Sequence, residues 1–271
     1  MAERLRFGPS LDTSVDEPAG LIAALVARGM TACELPPSGK LWNDYGTATA
    51  FGERAAAAGV SVSLHAPIAG FMGHAERGKK LNMAFGMLDH SAGIAKAAGC
   101  EVVVFHPGFL LGRSREDALD AVVEQLGELR DRLERKDRLV PFGVEVMGRV
   151  RELGSLEDVC AIAARVDFVQ PVLDFAHMHA TSDGAFLDVD AFAAALTQAD
   201  AVMTPGQPFH IHFSDIQYAN RNETRHLPYG DGTLRAEPLR DALARFERPA
   251  TVISESPDEA STDAIGAVLA A

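Results

Sequence analysis

Residues 60–106 read VSVSLHAPIAGFMGHAERGKKLNMAFGMLDHSAGIAKAAGCEVVVFH, a stretch that predicts a strand, a helix and a second strand in succession. The outer runs, Val60–His65 and Glu101–His106, are short, apolar and rich in β-branched residues, as in buried strands. Between them, Lys79–Ala98 has helical spacing, and Gly99 follows where a left-handed residue ends many helices. The stretch therefore predicts one βαβ unit.

The same alternation extends along the chain and predicts eight such units. The predicted strands lie near Leu5–Gly8, Ala32–Leu35, Val60–His65, Glu101–His106, Phe142–Glu145, Val169–Asp174, Phe209–Phe213 and Thr251–Glu255. The predicted helices are Pro18–Arg28, Ala48–Ala58, Lys79–Ala98, Arg115–Lys136, Leu156–Ala164, Val189–Ala199, Leu234–Phe246 and Glu259–Leu269. This number of units predicts an α/β protein, a single (β/α)8 TIM barrel over residues 1–271. A doubly wound sheet is the alternative, but the sequence has no glycine-rich phosphate loop of the kind such sheets carry.

Composition excludes several classes of protein. A hydrophobic fraction of 47% suffices for a large core. No apolar run approaches the roughly 18 residues of a membrane span, and the first residues lack the apolar segment of a signal peptide, so we expect a cytoplasmic protein without a membrane partner. Three scattered cysteines suggest neither disulfides nor a thiolate zinc site. A net charge of −13 argues against a protein that coats nucleic acid by bulk charge.

Potential metal ligands end six consecutive predicted strands. They are His65, His106, Glu145, Asp174, His212 and Glu255. In a TIM barrel these strand ends meet at one mouth. One such residue is readily explained as structural, but six together would repel one another and lose hydration unless a divalent cation compensated them. The pattern therefore predicts a metal site, which His177 and His226, in the loops after the sixth and seventh strands, could extend. We expect structural or surface roles for His74, His90, His179 and His210.

The motifs that carry these residues occur in a familiar order. Leu-His65-Ala-Pro, Phe-His106-Pro-Gly, Leu-Asp174-Phe-Ala-His177, His212-Phe-Ser-Asp215, Arg225-His226 and Glu255-Ser-Pro follow one another along the chain. This series resembles the endonuclease IV branch (apurinic/apyrimidinic endonuclease family 2) of the xylose-isomerase-like TIM-barrel superfamily, and in particular its short archaeal-type homologues. The resemblance covers nearly the whole chain.

The resemblance implies two complete metal sites and a third that departs from the family pattern. The first would be formed by His65, His106 and a bridging Glu145, and the second by Glu145, Asp174, His212 and Glu255. The third takes two histidines, matched by His177 and His226, and an aspartate, where this chain has Thr224. Glu223 or Asp231 could substitute for that aspartate, or Arg225 could supply the missing positive charge. The implied cofactor is Zn²⁺, and Mn²⁺ suits the same donors.

The implied activity is hydrolysis of the DNA backbone on the 5′ side of an abasic nucleotide, in base excision repair. Damaged DNA would be the partner, and no protein partner is predicted. Glu145 would bridge the metals and steer the attacking hydroxide, while Arg225 would stabilise the departing oxygen. Side chains predicted to contact DNA are Lys40, Trp42, Arg113, Arg149 and Arg221. These charges are equally compatible with ordinary solvated loops, and Trp42 equally with a cover for the barrel rim.

Two other functions remain open from the sequence. Glu145, Asp174, His212 and Glu255 also resemble the ligands of the single metal in ketose 3-epimerases of the same superfamily. His65 and His106 discriminate between the two enzymes, because one cation does not need them. The third possibility is a barrel that binds metal without catalysis, for which Thr224 is the main support.

Overall fold

Eight parallel strands form the frame of the molecule, for which a computed structural model describes residues 4–11 and 18–271. Their bounds are β1 Leu5–Pro9, β2 Ala32–Leu35, β3 Ser61–His65, β4 Val103–Phe105, β5 Phe142–Glu145, β6 Val169–Asp174, β7 Phe209–Phe213 and β10 Ala250–Ser254. Two further strands, β8 Asp215–Ala219 and β9 Asn222–Leu227, form a separate antiparallel hairpin.

The strand order shows a nearly closed barrel. Neighbours in the sheet run β1-β10-β7-β6-β5-β4-β3-β2. The two outer strands meet through a parallel bridge between Ser10 and Glu34, where the Leu11 amide donates to the Glu34 carbonyl at 2.8 Å. Gly8 allows this approach, since a Cβ there would lie 1.6 Å from the Ala32 carbonyl oxygen. The predicted TIM barrel is confirmed and the doubly wound alternative is wrong, because strands adjacent in sequence are neighbours around a ring.

Helices connect the strands and cover the outside of the barrel. Their bounds are α1 Pro18–Ala27, α2 Gly39–Asn43, α3 Tyr45–Ala57, α4 Lys79–Ala98, α5 Arg115–Arg135, α6 Leu156–Ala163, α7 Phe175–Thr181, α8 Val189–Asp200, α9 Ala236–Leu243 and α10 Glu259–Ala270. Gly99 ends α4 with φ 64°, as predicted. The short helices α2 and α7 were not predicted. No helix in the described ranges combines the length and the apolar character needed to cross a membrane.

The core lies inside the barrel and between its strands and helices. Phe105, Phe142 and Phe209 on the strands and Phe175 and Phe192 on the helices are almost fully buried. A rigid, close-packed wall of this kind fixes the directions of the side chains at the strand ends.

The β8–β9 hairpin lies beyond the end of β7 and carries a bulge. Asn220 and Arg221 form its tight turn, with φ values of 52° and 61°. Arg225 pairs with Gln217, but Glu223 pairs with Tyr218, so Thr224 is an extra residue between two paired positions. Because side chains alternate between the two faces of a strand, the extra residue shifts this alternation, so a side chain can lie on the face opposite to the one that a regular strand would give it.

Candidate metal centre

The six predicted ligands converge where the strands end. His65, Glu145 and Asp174 are the last residues of their strands, and His212 is the next to last of β7. His106 and Glu255 each lie one residue beyond a strand, a small correction to their predicted positions as strand ends. The structure brings all six into two groups that share Glu145.

The first group consists of His65, His106 and Glu145, whose potential ligand atoms lie within 4.8 Å of one another. Glu145 Oε2 is 3.1 Å from Nε2 of His65 and 2.9 Å from Nε2 of His106. Nδ1 of His65 donates to the Ala66 carbonyl at 2.8 Å, which orients the ring with Nε2 toward Glu145. Burial lowers the pKa of His65, but the hydrogen bond and the charge of Glu145 outweigh it and raise that pKa to about 9.

The second group consists of Glu145, Asp174, His212 and Glu255, again with ligand atoms within 4.8 Å. Here the other carboxylate oxygen of Glu145, Oε1, lies 3.0 Å from Nδ1 of His212. That Nδ1 is also 3.4 Å from Oε1 of Glu255. Glu145 thus presents one oxygen to each group, the arrangement expected of a carboxylate that bridges two cations.

The donor set of the second group fits a divalent cation. Burial, together with the neighbouring carboxylates, raises the pKa values of Asp174 and Glu255. Asp174 Oδ1 caps α7 by accepting from the His177 amide at 2.7 Å, while its buried Oδ2 accepts no hydrogen bond from the described residues. Three carboxylates packed in this way, one with an unsatisfied oxygen, are costly unless a cation compensates them.

A third group lies beside the second and contains His177, Glu223 and His226. His177 is in helix α7 and His226 is on strand β9, so the prediction that both lie in loops is wrong. Glu223 Oε2 is 2.8 Å from Nε2 of His177, whose Nδ1 donates to the Val146 carbonyl. Burial lowers the pKa of His177, but Asp174 and Glu223 outweigh it and hold that pKa well above its usual value.

The bulge explains why Glu223 occupies the place of the expected aspartate. In a regular strand, Thr224 would share a face with His226. Because Thr224 is the extra residue, its hydroxyl instead donates to the Gln217 carbonyl at 2.8 Å, and Glu223 turns toward His177. Gly148 provides the space for it, since a Cβ there would lie 2.5 Å from Glu223 Oε2. Asp231 is exposed and lies outside the group.

The predicted second catalytic residue, Arg225, lies apart from these groups. It follows Thr224 on β9 and precedes His226, so its side chain is on the opposite face of the hairpin. The guanidinium is exposed and donates to Gln217 Oε1 at 2.8 Å. Arg225 therefore does not supply charge to the three groups in this structure.

The five predicted DNA contacts fall into three classes. Arg149 and Arg221 are exposed and line a cavity of about 380 Å³ beside the third group. Arg113 is engaged with the carbonyls of Leu110 and Gly73, so it braces two loops. Lys40 and Trp42 lie in α2, not in a loop, and the half-buried Trp42 ring packs edge-on against His90 at 4.6 Å. Its packing favours the interpretation as a rim cover.

Sequence reasoning missed Glu34, a fully buried carboxylate in β2. Its carboxylate contacts both His210 and His212. The available signal was a charged residue inside a four-residue strand that is otherwise apolar. Burial of such a residue requires hydrogen-bond partners, which only the fold reveals.

Comparison with known proteins places these groups in a wider context. A sequence model described as xylose isomerase-like TIM barrel matches residues 22–270. An uncharacterized protein of Methanocaldococcus jannaschii is 30% identical over 57% of this chain and 57% of its own length. A probable endonuclease 4 of Oceanobacillus iheyensis is 24% identical over 67% of this chain and 61% of its own length. The matched stretches thus span less than two thirds of either relative.

Solved structures of two kinds of protein superpose on the chain. A D-tagatose 3-epimerase-like protein gives a TM-score of 0.75 at 18% identity, over 98% of this chain and 96% of the other. Endonuclease IV from Thermus thermophilus gives a TM-score of 0.71 at 18% identity, over 98% of this chain and 97% of the other. At such identities the likeness shows the fold alone.

Proposed function

The chain belongs to the xylose isomerase-like TIM-barrel family, and from the side chains gathered at its mouth we propose that it is a divalent-metal-dependent phosphodiesterase of endonuclease IV type. It would hydrolyse the DNA backbone on the 5′ side of an abasic nucleotide, as one TIM-barrel domain acting in the cytoplasm. The observation that carries the proposal is Glu145, which offers one oxygen to each of two ligand groups beside a third.

Three adjacent groups suit chemistry at phosphorus. The chemistry that cations supply at such a site is a lowered pKa for an attacking water and neutralisation of the charge that develops on phosphate oxygens. Glu145 would fix the separation of the two inner sites because its carboxylate belongs to both. His177, Glu223 and His226 would hold the third cation beside them. Histidine with carboxylate suits Zn²⁺, and Mn²⁺ is compatible with the same donors.

The surroundings of the groups support a polyanionic substrate. Arg149 and Arg221 are exposed next to the third group, where guanidinium groups could pair with backbone phosphates. Arg149 also lies 3.6 Å from Glu223, so it would link a phosphate contact to the third site. The match to a probable endonuclease 4 adds support for damaged DNA as the partner.

A metal-dependent sugar epimerase is the second candidate. Glu145, Asp174, His212 and Glu255 form a complete ligand group by themselves, and epimerase structures superpose on the chain. One cation in that group would leave His65 and His106 without a metal-binding role. The direct contacts of both histidines with Glu145 Oε2 favour the phosphodiesterase.

The decisive experiment uses a duplex oligonucleotide that carries a single tetrahydrofuran abasic analogue. Protein reconstituted with Zn²⁺ or Mn²⁺ should incise the labelled strand on the 5′ side of the analogue. The Glu145→Gln variant, purified in the same way, controls for contaminating nuclease. Absence of incision together with interconversion of a ketose would replace the proposal with the epimerase.

A further inference from the structure

Glu34 connects the barrel wall to the candidate metal centre. It lies on β2 with no exposed side-chain area. Its Oε2 accepts from the Ser63 hydroxyl at 2.9 Å and from Nε2 of His210 at 3.1 Å. Nε2 of His212 lies 3.1 Å from Oε1 and 3.3 Å from Oε2 of the same carboxylate. Glu34 therefore contacts Nε2 of the His212 ring, while Nδ1 of the same ring faces Glu145 and Glu255.

The two nitrogens of His212 have different partners. Nε2 points at Glu34, and a carboxylate can only accept a hydrogen bond, so Nε2 carries a hydrogen. Nδ1 lies 3.0 Å from Glu145 and 3.4 Å from Glu255, inside the second group. By the same rule Nδ1 carries a hydrogen when no cation is bound. A cation in the second group would displace that hydrogen and not the one held by Glu34, which leaves the lone pair of Nδ1 to bind it.

Glu34, His210 and His212 are themselves close enough to form a ligand group, with potential ligand atoms within 4.8 Å. Their contacts favour a hydrogen-bonded network instead. Both Nε2 atoms approach the carboxylate at hydrogen-bond distance, and Ser63 supplies a third donor. A neutral His212 has one lone pair, so it cannot serve a cation on each side of its ring.

We propose that Glu34 is a positioning residue for the metal centre, which holds His212 with Nδ1 free for the cation shared by Glu145, Asp174 and Glu255. The inference rests on the metal binding assumed in the proposed function and not on the substrate. A carboxylate behind a metal-binding histidine fixes both its tautomer and its ring orientation. A purely structural Glu34 would instead satisfy two buried histidines without any effect on cation affinity.

The test compares Zn²⁺ affinity in the full chain and three variants. After removal of metal, each protein competes with a chromogenic chelator for Zn²⁺. Glu34→Gln keeps the shape but loses the charge, and we expect the affinity of one site to fall by about 10–100-fold. Glu34→Asp retains the charge and should recover part of that loss. Ser63→Ala removes one donor to the same carboxylate and serves as the matched control, with affinity within about threefold of the unmodified chain.

A measurement on the unmodified chain keeps the inference testable if Glu34→Gln does not fold. Nitrogen-15 NMR of the zinc-loaded protein should show His212 protonated at Nε2 and coordinated through Nδ1. Unchanged affinity in a folded Glu34→Gln variant, or coordination of His212 through Nε2, overturns the inference. If the unmodified chain binds Zn²⁺ but does not incise DNA, only the proposed activity fails.

Discussion

Replacement of Glu223 by Gln tests the third ligand group. Glu223 lies 2.8 Å from His177, which also has Asp174 at 3.3 Å and Glu145 at 3.7 Å. Breaking a buried ion pair costs about 3–5 kcal/mol. Because two other carboxylates remain and Glu223 is 20% exposed, we expect a loss of about 1–2 kcal/mol in the metal-free protein.

The effect on the metal-loaded protein should be larger. The variant loses the charged ligand among three, so elemental analysis should find one cation fewer per chain than in the unmodified protein. Loss of one fixed electrostatic stabiliser typically lowers kcat by about 10²–10³-fold. Incision of the abasic duplex should fall by that factor while circular dichroism is unchanged. Full metal content with an unchanged incision rate would refute the role of Glu223.

A second substitution tests the reasoning from the bulge. Thr224→Asp places a carboxylate at the position where the resemblance to endonuclease IV implies an aspartate, but Thr224 faces Gln217 across the hairpin. Added to Glu223→Gln, it should not restore the third cation. Restoration would show that the hairpin changes register and that the bulge does not determine which residue reaches His177.

Three further outcomes are expected. Gly148→Ala should displace the Glu223 carboxylate, because Glu223 Oε2 lies 2.5 Å from the position of the added Cβ. The third cation should then be lost although Glu223 is intact. Unchanged metal content in elemental analysis would contradict this. Glu145→Gln should abolish incision and weaken both inner sites while the fold survives, and retained turnover would exclude a bridging role. The pKa of His65 is raised to about 9, so a cation that binds His65 at neutral pH must displace its proton, and cation affinity should rise about tenfold per pH unit for each displaced proton until pH 9. Calorimetry in buffers of different ionisation enthalpy would detect the released proton. Absence of proton release would count against His65 as a ligand.

The sequence was sufficient for the barrel and for the convergence of the six strand-end ligands because both follow from regular geometry. Strand and helix periods predict the βα units, and parallel strands in a ring bring their carboxyl ends together. His65, Glu145 and Asp174 were therefore recognisable from position alone. The sequence also contains a signal for the start of α7: Asp174 caps this helix, since its side chain accepts a hydrogen bond from the His177 amide.

The rest depended on local departures from that geometry. A bulge inserts one residue without a distinctive sequence pattern, so Glu223 and Thr224 could not be distinguished as partners of His177. Glu34 lies on β2, while its partner His212 is on β7, and a contact between these two strands depends on how the sheet closes into a barrel. Asp44 begins α3 earlier than predicted by accepting from the Gly46 and Thr47 amides, and Trp42 lies in the separate short helix α2 just before it.

The position of Glu34 at the junction of β1 and β2 links the closure of this junction to cation binding at the candidate metal centre. Its backbone carbonyl accepts from the Leu11 amide across this junction, while its side chain holds a ring on β7. A cation that binds only while Glu34 holds the His212 ring would stabilise this hydrogen bond against local opening by the free energy of its binding. Hydrogen exchange at the Leu11 amide should therefore report metal loading at His212 on β7, two strands from β1 around the barrel.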